Sequence, residues 1–563
     1  MESVIMSDEK TVEYIDVPDK GLFLVPLGGV GEIGMNFYLY ACDGDWLAVD
    51  CGVGFPGDRL PGIDMLYPDP AFAEKIAPRL KGLVITHAHE DHIGAVATFW
   101  SVLRCPVYVS AFAAEMLETR LDEAGLLGRV PVHVFESGDM LELDPFEIEL
   151  VEINHSIPEA SSLLIKTPRG NVFHTGDWRF DEDPVVGKPV DYKALSALKK
   201  EKVLALVGDS TNVFVEGDIP SETRVKESLT ELFAKYKGKR LIVTCFASNV
   251  GRIESIAEAA EKNGRTVCLL GRSLWRVEGA GRAAGYFRGV NVFLTDEEAA
   301  ERDPSEVLYL CTGCQGEPKA ALSNISYGTG AVKPVKGDVV VFSSRVIPGN
   351  EQAIANIQNR FIAKGIEVVT AKDALVHVSG HSGRKDMAKM YEFVKPKIAV
   401  PVHGEAAHLF EHAELARACG IKETVIIKDG DVLRLDGEAP EIVGEVKTGV
   451  LARDKKHIIP LNAGVIKQRR HMIEDGMVVA TVVLNKKGAV LGDVQFSAAG
   501  LIETGDPAFE KMNLGVKSAL ELLSADKRKD DQAIADTVKS AVRKVVMETH
   551  GRRPMVDTHL VRV

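Results

Sequence analysis

The stretch THAHEDHIG, residues 86–94, sets three histidines and two acids into the six positions from His87 to His92. It follows the apolar run Leu83, Val84, Ile85, which reads as a buried strand, and precedes a helix beginning near His92. Side chains at 87, 89, 91 and 92 therefore sit on a tight loop at a strand end, where they converge. Neutral imidazole suits zinc, and a carboxylate completes or bridges such a site. Four donors from one loop exceed what one cation needs, so two metals sharing the loop fit the pattern better. A closed structural zinc site usually draws on cysteine, and none lies nearby. The fold must then bring further donors to this loop from other strand ends.

Three isolated residues qualify. FEIELVEIN runs into His155, NVFHTGD delivers Asp177, and KIAVPVHGE delivers His403. Alone, each reads as a structural polar residue. Together they share a context, since each follows an apolar strand and falls in a Gly- or Ser-rich turn. His174 differs: it lies within its strand and reads as a packed core histidine.

The rest of the chain reads as mixed α/β. Short strands at Phe37–Tyr40, Trp46–Val49, Val107–Val109, Phe146–Ile153, Ser162–Thr167 and Val172–His174 are bounded by turn residues, with helices at His92–Leu103 and Ala111–Ala124. The pattern changes near Pro220. SETRVKESLTELFAKY opens on an N-cap Ser221, and strand–helix units then alternate, which predicts a separate parallel-sheet domain over about 221–370. The tail from about 460 predicts a hairpin turning at Asn485–Gly488, helices at Pro507–Leu523 and Asp530–Met547, and a last strand at Met555–Val563.

Composition bounds the functional classes. At 563 residues the chain exceeds one core, and about two to four domains are expected. No run of about 18 apolar residues predicts a membrane span. The start, MESVIMSDEKTVEYID, has neither the basic region nor the apolar stretch of a signal peptide. Eight cysteines in apolar surroundings fit a reducing compartment, with the cytoplasm as the default. A net charge of −14 speaks against nonspecific nucleic-acid binding but permits a local basic channel. The clusters Lys199, Lys200, Lys202; Lys467, Arg469, Arg470; and Lys527, Arg528, Lys529 read as solvated faces.

The order HAHEDH, histidine, TGD, late histidine resembles the metallo-β-lactamase superfamily, an αββα sandwich with a dinuclear zinc site. GDSTNV at 208–213, TCFASNVGRI at 244–253, TGCQGEP at 312–318, FSSRVIPGNE at 342–351, HVSGHSG at 377–383 and PVHGE at 401–405 resemble, together, the bacterial ribonuclease J family of the β-CASP branch. Nearly the whole chain is covered. Cys314 stands where the family usually has serine, and the CTGC that results is not read as a redox pair. The resemblance implies a metallo-β-lactamase domain at 1–220 and 371–455, a β-CASP insertion at 221–370, and a linker with a small C-terminal α/β domain at 456–563. It implies that His87, His89 and His155 hold one zinc, that Asp91, His92 and His403 hold the other, and that Asp177 bridges them.

It also implies a function, a zinc-dependent ribonuclease of RNA maturation and mRNA decay. Such an enzyme degrades single-stranded RNA 5′ to 3′ from a 5′-monophosphate and also cuts internally, with a hydroxide readied by two metals attacking the phosphodiester. Asp209 and His381 match positions that supply and orient the general acid; the alternative is a hydrogen-bonded structural pair. His377, Val378, Ser379, Gly380 and His381, with Phe246, Ala247 and Ser248, match the substrate-binding segments. Phe246 either stacks on a base or packs in the domain core. The tail implies a homodimer or homotetramer, and an RNA-degradation complex is a further partner. Two other readings are a hydrolase of a small ester or thioester, which needs no such insertion, and an inactive RNA-binding scaffold, which would have lost ligands.

Overall fold

The computed structural model describes residues 14–57 and 60–563. The N-terminal reading above falls mainly on residues 1–13, outside those described. The chain divides into two units, one of residues up to 54 with 66–450, the other of 55–65 with 451–563.

Strands apolar on both faces need cover on both sides. Leu22–Gly28 and Phe37–Cys42 are buried throughout, and they lie inside an eight-stranded sheet. Its order is Glu441–Glu445, Asp431–Arg434, Leu22–Gly28, Phe37–Cys42, Asp45–Val49, Leu80–Val84, Val107–Ser110, Val132–Phe135. Pairing is antiparallel as far as Asp45–Val49 and parallel beyond it. A second, seven-stranded sheet runs Glu423–Thr424, Ile398–Val402, Ala205–Asp209, Val172–His174, Ser161–Lys166, Phe146–Glu152, Met140–Leu143. The inner faces of the two share one core, with Leu24, Tyr40 and Val84 against Leu163, Val207 and Val400. Each such side chain stabilises the sandwich by about 1.5–3 kcal/mol. Helices Tyr192–Ala197, Arg384–Val394 and Ala406–Ala418 cover the outer face of the second sheet, and Ala111–Glu123 packs outside the first. The layers are those of the αββα metallo-β-lactamase sandwich.

A third sheet, all parallel, draws only on residues 241–369, in the order Thr266–Leu270, Val307–Cys311, Leu241–Thr244, Val339–Phe342, Glu367–Val369. Ser221 caps helix Glu222–Lys235 by accepting from the Arg224 amide. The chain leaves the second sheet after Ala205–Asp209 and rejoins it on Ile398–Val402. These two strands are parallel neighbours in register, with Asp209 opposite Val402. The excursion thus begins and ends at the same edge of the same site.

In the second unit, Met477–Leu484 lies between Gln495–Ser497 and Met555–Arg562. Gly488 donates to Asn485 in the hairpin turn. Helices Ala508–Glu521 and Asp531–His550 bury Met512, Val516 and Val538 against Val478 and Val482. Among the described residues, no helix is long and apolar enough to cross a membrane.

One local expectation needs correction. The helix predicted from near His92 begins earlier and in two pieces, Glu90–Ile93 and Val96–Leu103. His89 has extended backbone at the N-cap, so Asp91 and His92 ride on a helical turn rather than a free loop.

Candidate metal centre

The residues between His87 and His92 are held from behind by the loop that follows Asp45–Val49. Cys51 donates to the His92 carbonyl at 2.7 Å, and Val53 to the Glu90 carbonyl at 3.1 Å. Between them Gly52 lies so close that a Cβ there would meet the Asp91 carbonyl oxygen at 1.7 Å. Only glycine permits this approach.

Three groups of donors result, all containing Asp177, and the third joins Asp209 and His381 to Asp177 and His403. In the first, His87, His89, His155 and Asp177 present ligand atoms within 4.8 Å of one another. His89 Nδ1 lies 3.0 Å from His87 Nε2 and 3.1 Å from His155 Nε2. Burial pushes the His87 and His155 rings well below the usual histidine range, and brings His89 down to about 4. In the second, Asp91, His92, Asp177 and His403 meet the same limit. His92 Nε2 is 3.3 Å from Asp177, and His403 Nε2 is 3.3 Å from Asp91. Here burial works against the charged rings, but the surrounding carboxylates outweigh it and hold both histidines high. Burial likewise opposes ionisation of Asp177, and His403 and His92 overcome it. Asp177 belongs to all three groups.

The donor set fits a metal on its own chemistry. Three imidazole nitrogens turned towards one another cannot all be satisfied by mutual hydrogen bonds. A cation among them can accept all three lone pairs, and imidazole with carboxylate is a zinc-type set.

Outer partners fix the rings. Asp50 Oδ2 lies 2.7 Å from His92 Nδ1, and its other oxygen accepts from the Thr86 amide at 2.8 Å. Thr211 Oγ1 lies 2.8 Å from His403 Nδ1, and the Gly380 carbonyl 2.7 Å from His155 Nδ1. Such partners orient a ligand and set its tautomer. His403 has φ +50, a left-handed conformation that costs energy away from a functional site. His174 is buried, with its Nδ1 2.9 Å from the Tyr40 hydroxyl, and is part of the core.

Asp209 and His381 form a pair beside Asp177. His381 Nδ1 is 2.8 Å from Asp209 Oδ2, and its Nε2 is 3.8 Å from Asp177. Burial opposes the charge on His381, but Asp209 and Asp177 hold its pKa above the ordinary value. Gly380 lets this segment close on the histidine loop, since a Cβ there would meet the Ser156 amide nitrogen at 2.8 Å. Of the other substrate-segment residues, Val378 is buried and Ser379 half-buried, and Ser379 Oγ accepts from Asn212. His377 Nδ1 faces Arg252 at 3.3 Å, while its Nε2 is buried without a hydrogen-bond partner. Phe246, Ala247 and Ser248 are half-buried on the loop before helix Val250–Lys262, and the Phe246 ring lies 6.4 Å from that of His377. Near Gly380 a cavity of about 30 Å³ is lined by His155, Arg179, Glu222, Asn249 and Ser379. Cys311 and Cys314 are both buried free thiols.

Sequence reasoning missed Asp50, Thr86, Thr211 and Asn212. Asp50 carried a usable signal, an acid closing the apolar strand WLAV two residues before Gly52. The others are hydrogen-bond partners whose role rests on distance alone.

Residues 45–192 match the β-lactamase superfamily domain, 238–361 the β-CASP domain of ribonuclease J, 365–427 the RNA specificity domain of zinc-dependent metallo-hydrolases, and 464–563 the ribonuclease J C-terminal domain. Ribonuclease J of Sinorhizobium meliloti is 43% identical over 553 residues, covering 97% of this chain and 98% of that protein. The chain belongs to the ribonuclease J family. Ribonuclease J of Mycolicibacterium smegmatis is 36% identical over 96% of this chain and 98% of its own length. That of Thermus thermophilus is 32% identical, with 96% and 95% covered. A crystal structure of a protein of unknown function from Enterococcus faecalis aligns with TM-score 0.51 at 16% identity, over 74% of this chain and all of that one, and shares the fold alone. As a ribonuclease J family member, the protein is a metal-dependent hydrolase of the nuclease class.

Proposed function

We propose that the protein is a two-zinc ribonuclease that degrades single-stranded RNA from a 5′-monophosphate end and also cuts internally. The observation that carries this reading is the pair of donor groups sharing Asp177, with the Asp209–His381 pair 3.8 Å away. His87, His89 and His155 would hold one ion and Asp91, His92 and His403 the other, with Asp177 shared between them. Two zinc ions bound there would supply hydroxide at neutral pH and offset charge on the phosphoryl oxygens. Asp209 keeps the His381 imidazole charged and aimed, so that it gives a proton to the departing 3′-oxygen. The segment from His377 to His381 and the loop Phe246, Ala247, Ser248 line the substrate, with small residues that let backbone amides approach a phosphate. A pocket one nucleotide beyond the metals would take a 5′-monophosphate and fit a triphosphate poorly.

The domains run 1–220 with 371–455, 221–370 and 456–563. The last supports a homodimer or homotetramer, and an RNA-degradation complex is a further partner. The protein acts in the cytoplasm, in rRNA processing and mRNA decay. An inactive scaffold would have lost donors, and all seven are present.

End-labelled RNA carrying a 5′-monophosphate, triphosphate or hydroxyl, digested with and without chelator, tests the proposal. Chelator-sensitive release of mononucleotides, fastest from the monophosphate, is the expected result. Equal rates on all three ends would remove the pocket, and chelator-resistant cleavage would remove the metal mechanism.

A further inference from the structure

The inserted domain sends one cation to the acid side of the site. Arg345 follows strand Val339–Phe342 and is half-buried. Its Nη1 donates to Asn212 Oδ1 at 2.7 Å. Asn212 is itself buried, two residues past Ser210 on the loop leaving Asp209. Its amide nitrogen donates twice, to Ser379 Oγ at 2.8 Å and to the His381 carbonyl at 2.9 Å. Ser379 Oγ also accepts from the His381 amide at 3.3 Å. The backbone of His381 is therefore gripped from both sides by groups that Asn212 holds, and the side chain of Asn212 is oriented by Arg345.

The energetics favour a fixed amide. A buried Asn that loses its acceptor's partner leaves a carbonyl oxygen unsatisfied, at a cost of about 1–3 kcal/mol, and the amide can then rotate. Rotation would exchange oxygen for nitrogen in front of Ser379 and the His381 carbonyl and set two acceptors face to face. Arg345, permanently charged and planar, prevents this.

We propose that Arg345 is a positioning residue for proton delivery: acting through Asn212, it holds His381 where its proton reaches the leaving oxygen. The proposal rests on the functional reading above. In the step concerned, the bond from phosphorus to the 3′-oxygen breaks, its electron pair stays on oxygen, and the proton of His381 joins it. The link also makes proton delivery depend on the inserted domain, because Arg345 belongs to that domain and His381 does not. A loosened insertion would leave the seven metal donors untouched and blunt the acid alone.

Single-turnover cleavage separates this from a general structural role. Two 5′-monophosphate RNAs are compared, one with the ordinary 3′-oxygen at the scissile bond and one with a bridging 3′-sulfur, whose thiolate departs without a proton. Arg345→Met should slow the oxygen substrate by about 10- to 100-fold, less than the roughly 100- to 10,000-fold that losing a general acid outright costs. The sulfur substrate should be cleaved within about threefold of the wild-type rate, with zinc content unchanged, on that same acid-independent logic. Arg345→Lys, which keeps one donor, should recover part of the loss. Asn212→Ala combined with Arg345→Met should be no slower than Asn212→Ala alone, because one path carries both effects. Equal slowing of both substrates, or losses that multiply in the double variant, would overturn the proposal. So would full-speed Arg345→Met. If zinc-loaded wild type cleaves neither substrate, the functional reading fails first and takes this one with it.

Discussion

His412 is buried and His89 half-buried in the same sandwich, and their surroundings could hardly differ more. His412 lies between two hydroxyls, with Ser210 Oγ 2.9 Å from Nδ1 and Tyr391 Oη 2.9 Å from Nε2. Each ring nitrogen has a partner able to donate or accept, so the neutral ring is complete. His89 faces the nitrogens of two other imidazoles, at 3.0 and 3.1 Å. Those rings can share at most part of their protons and leave lone pairs opposed. Burial of histidine therefore says little by itself, and the chemistry opposite each nitrogen says whether a cation belongs there.

Substitutions at the two kinds of histidine site should separate them. The largest effect is expected from Asp177→Ala, which removes a donor from all three groups: zinc content should fall, and RNA cleavage should drop to the level seen with chelator. RNA binding retained in that variant would mark the loss as catalytic. Asp50→Asn comes next. It keeps the volume but weakens the acceptor beside His92, and metal affinity should fall by about 10–100-fold, as outer-partner changes typically cause. Metal titration with a competing chelator measures it, and an unchanged affinity would argue that Asp50 serves only the loop backbone.

His412→Phe should leave zinc content intact while lowering stability by about 1–3 kcal/mol for each hydroxyl left buried without a partner. Denaturant unfolding with metal analysis on the same samples checks both halves of that statement. The pH dependence follows. Burial pushes His412 down to about 4, so the folded state keeps it neutral while the unfolded chain takes up a proton near 6.5. Stability should then fall as pH drops from about 6.5 towards 4, since the unfolded state binds more protons there. His412→Phe should flatten that slope. The smallest effect is expected at the core pair, where Tyr40→Phe removes one hydrogen bond to His174 and should cost about 1 kcal/mol with activity preserved.

Much of the architecture was legible because it rests on short-range signals. Val172–His174 has the bounds that apolar patterning predicts, and Ser221 caps its helix. His174 and His403 show why position mattered more than residue type. One lies inside a strand and packs, while the other follows a strand and turns into the donor cluster. What stayed hidden depends on distances across the fold. Nothing near Asn212 in the sequence points to Arg345, and nothing near Asp50 names His92. The helical turn under Asp91 and His92 was also missed, because a four-residue helix is too short to show a periodicity.

The neighbouring strands Ala205–Asp209 and Ile398–Val402 have a consequence for synthesis. The ribosome must finish the whole inserted domain before the second of these strands exists to pair with the first. A product that stops between residues 178 and 376 carries the first six donors yet lacks the last one and the acid segment. Truncated products of this nuclease would thus carry an incomplete site.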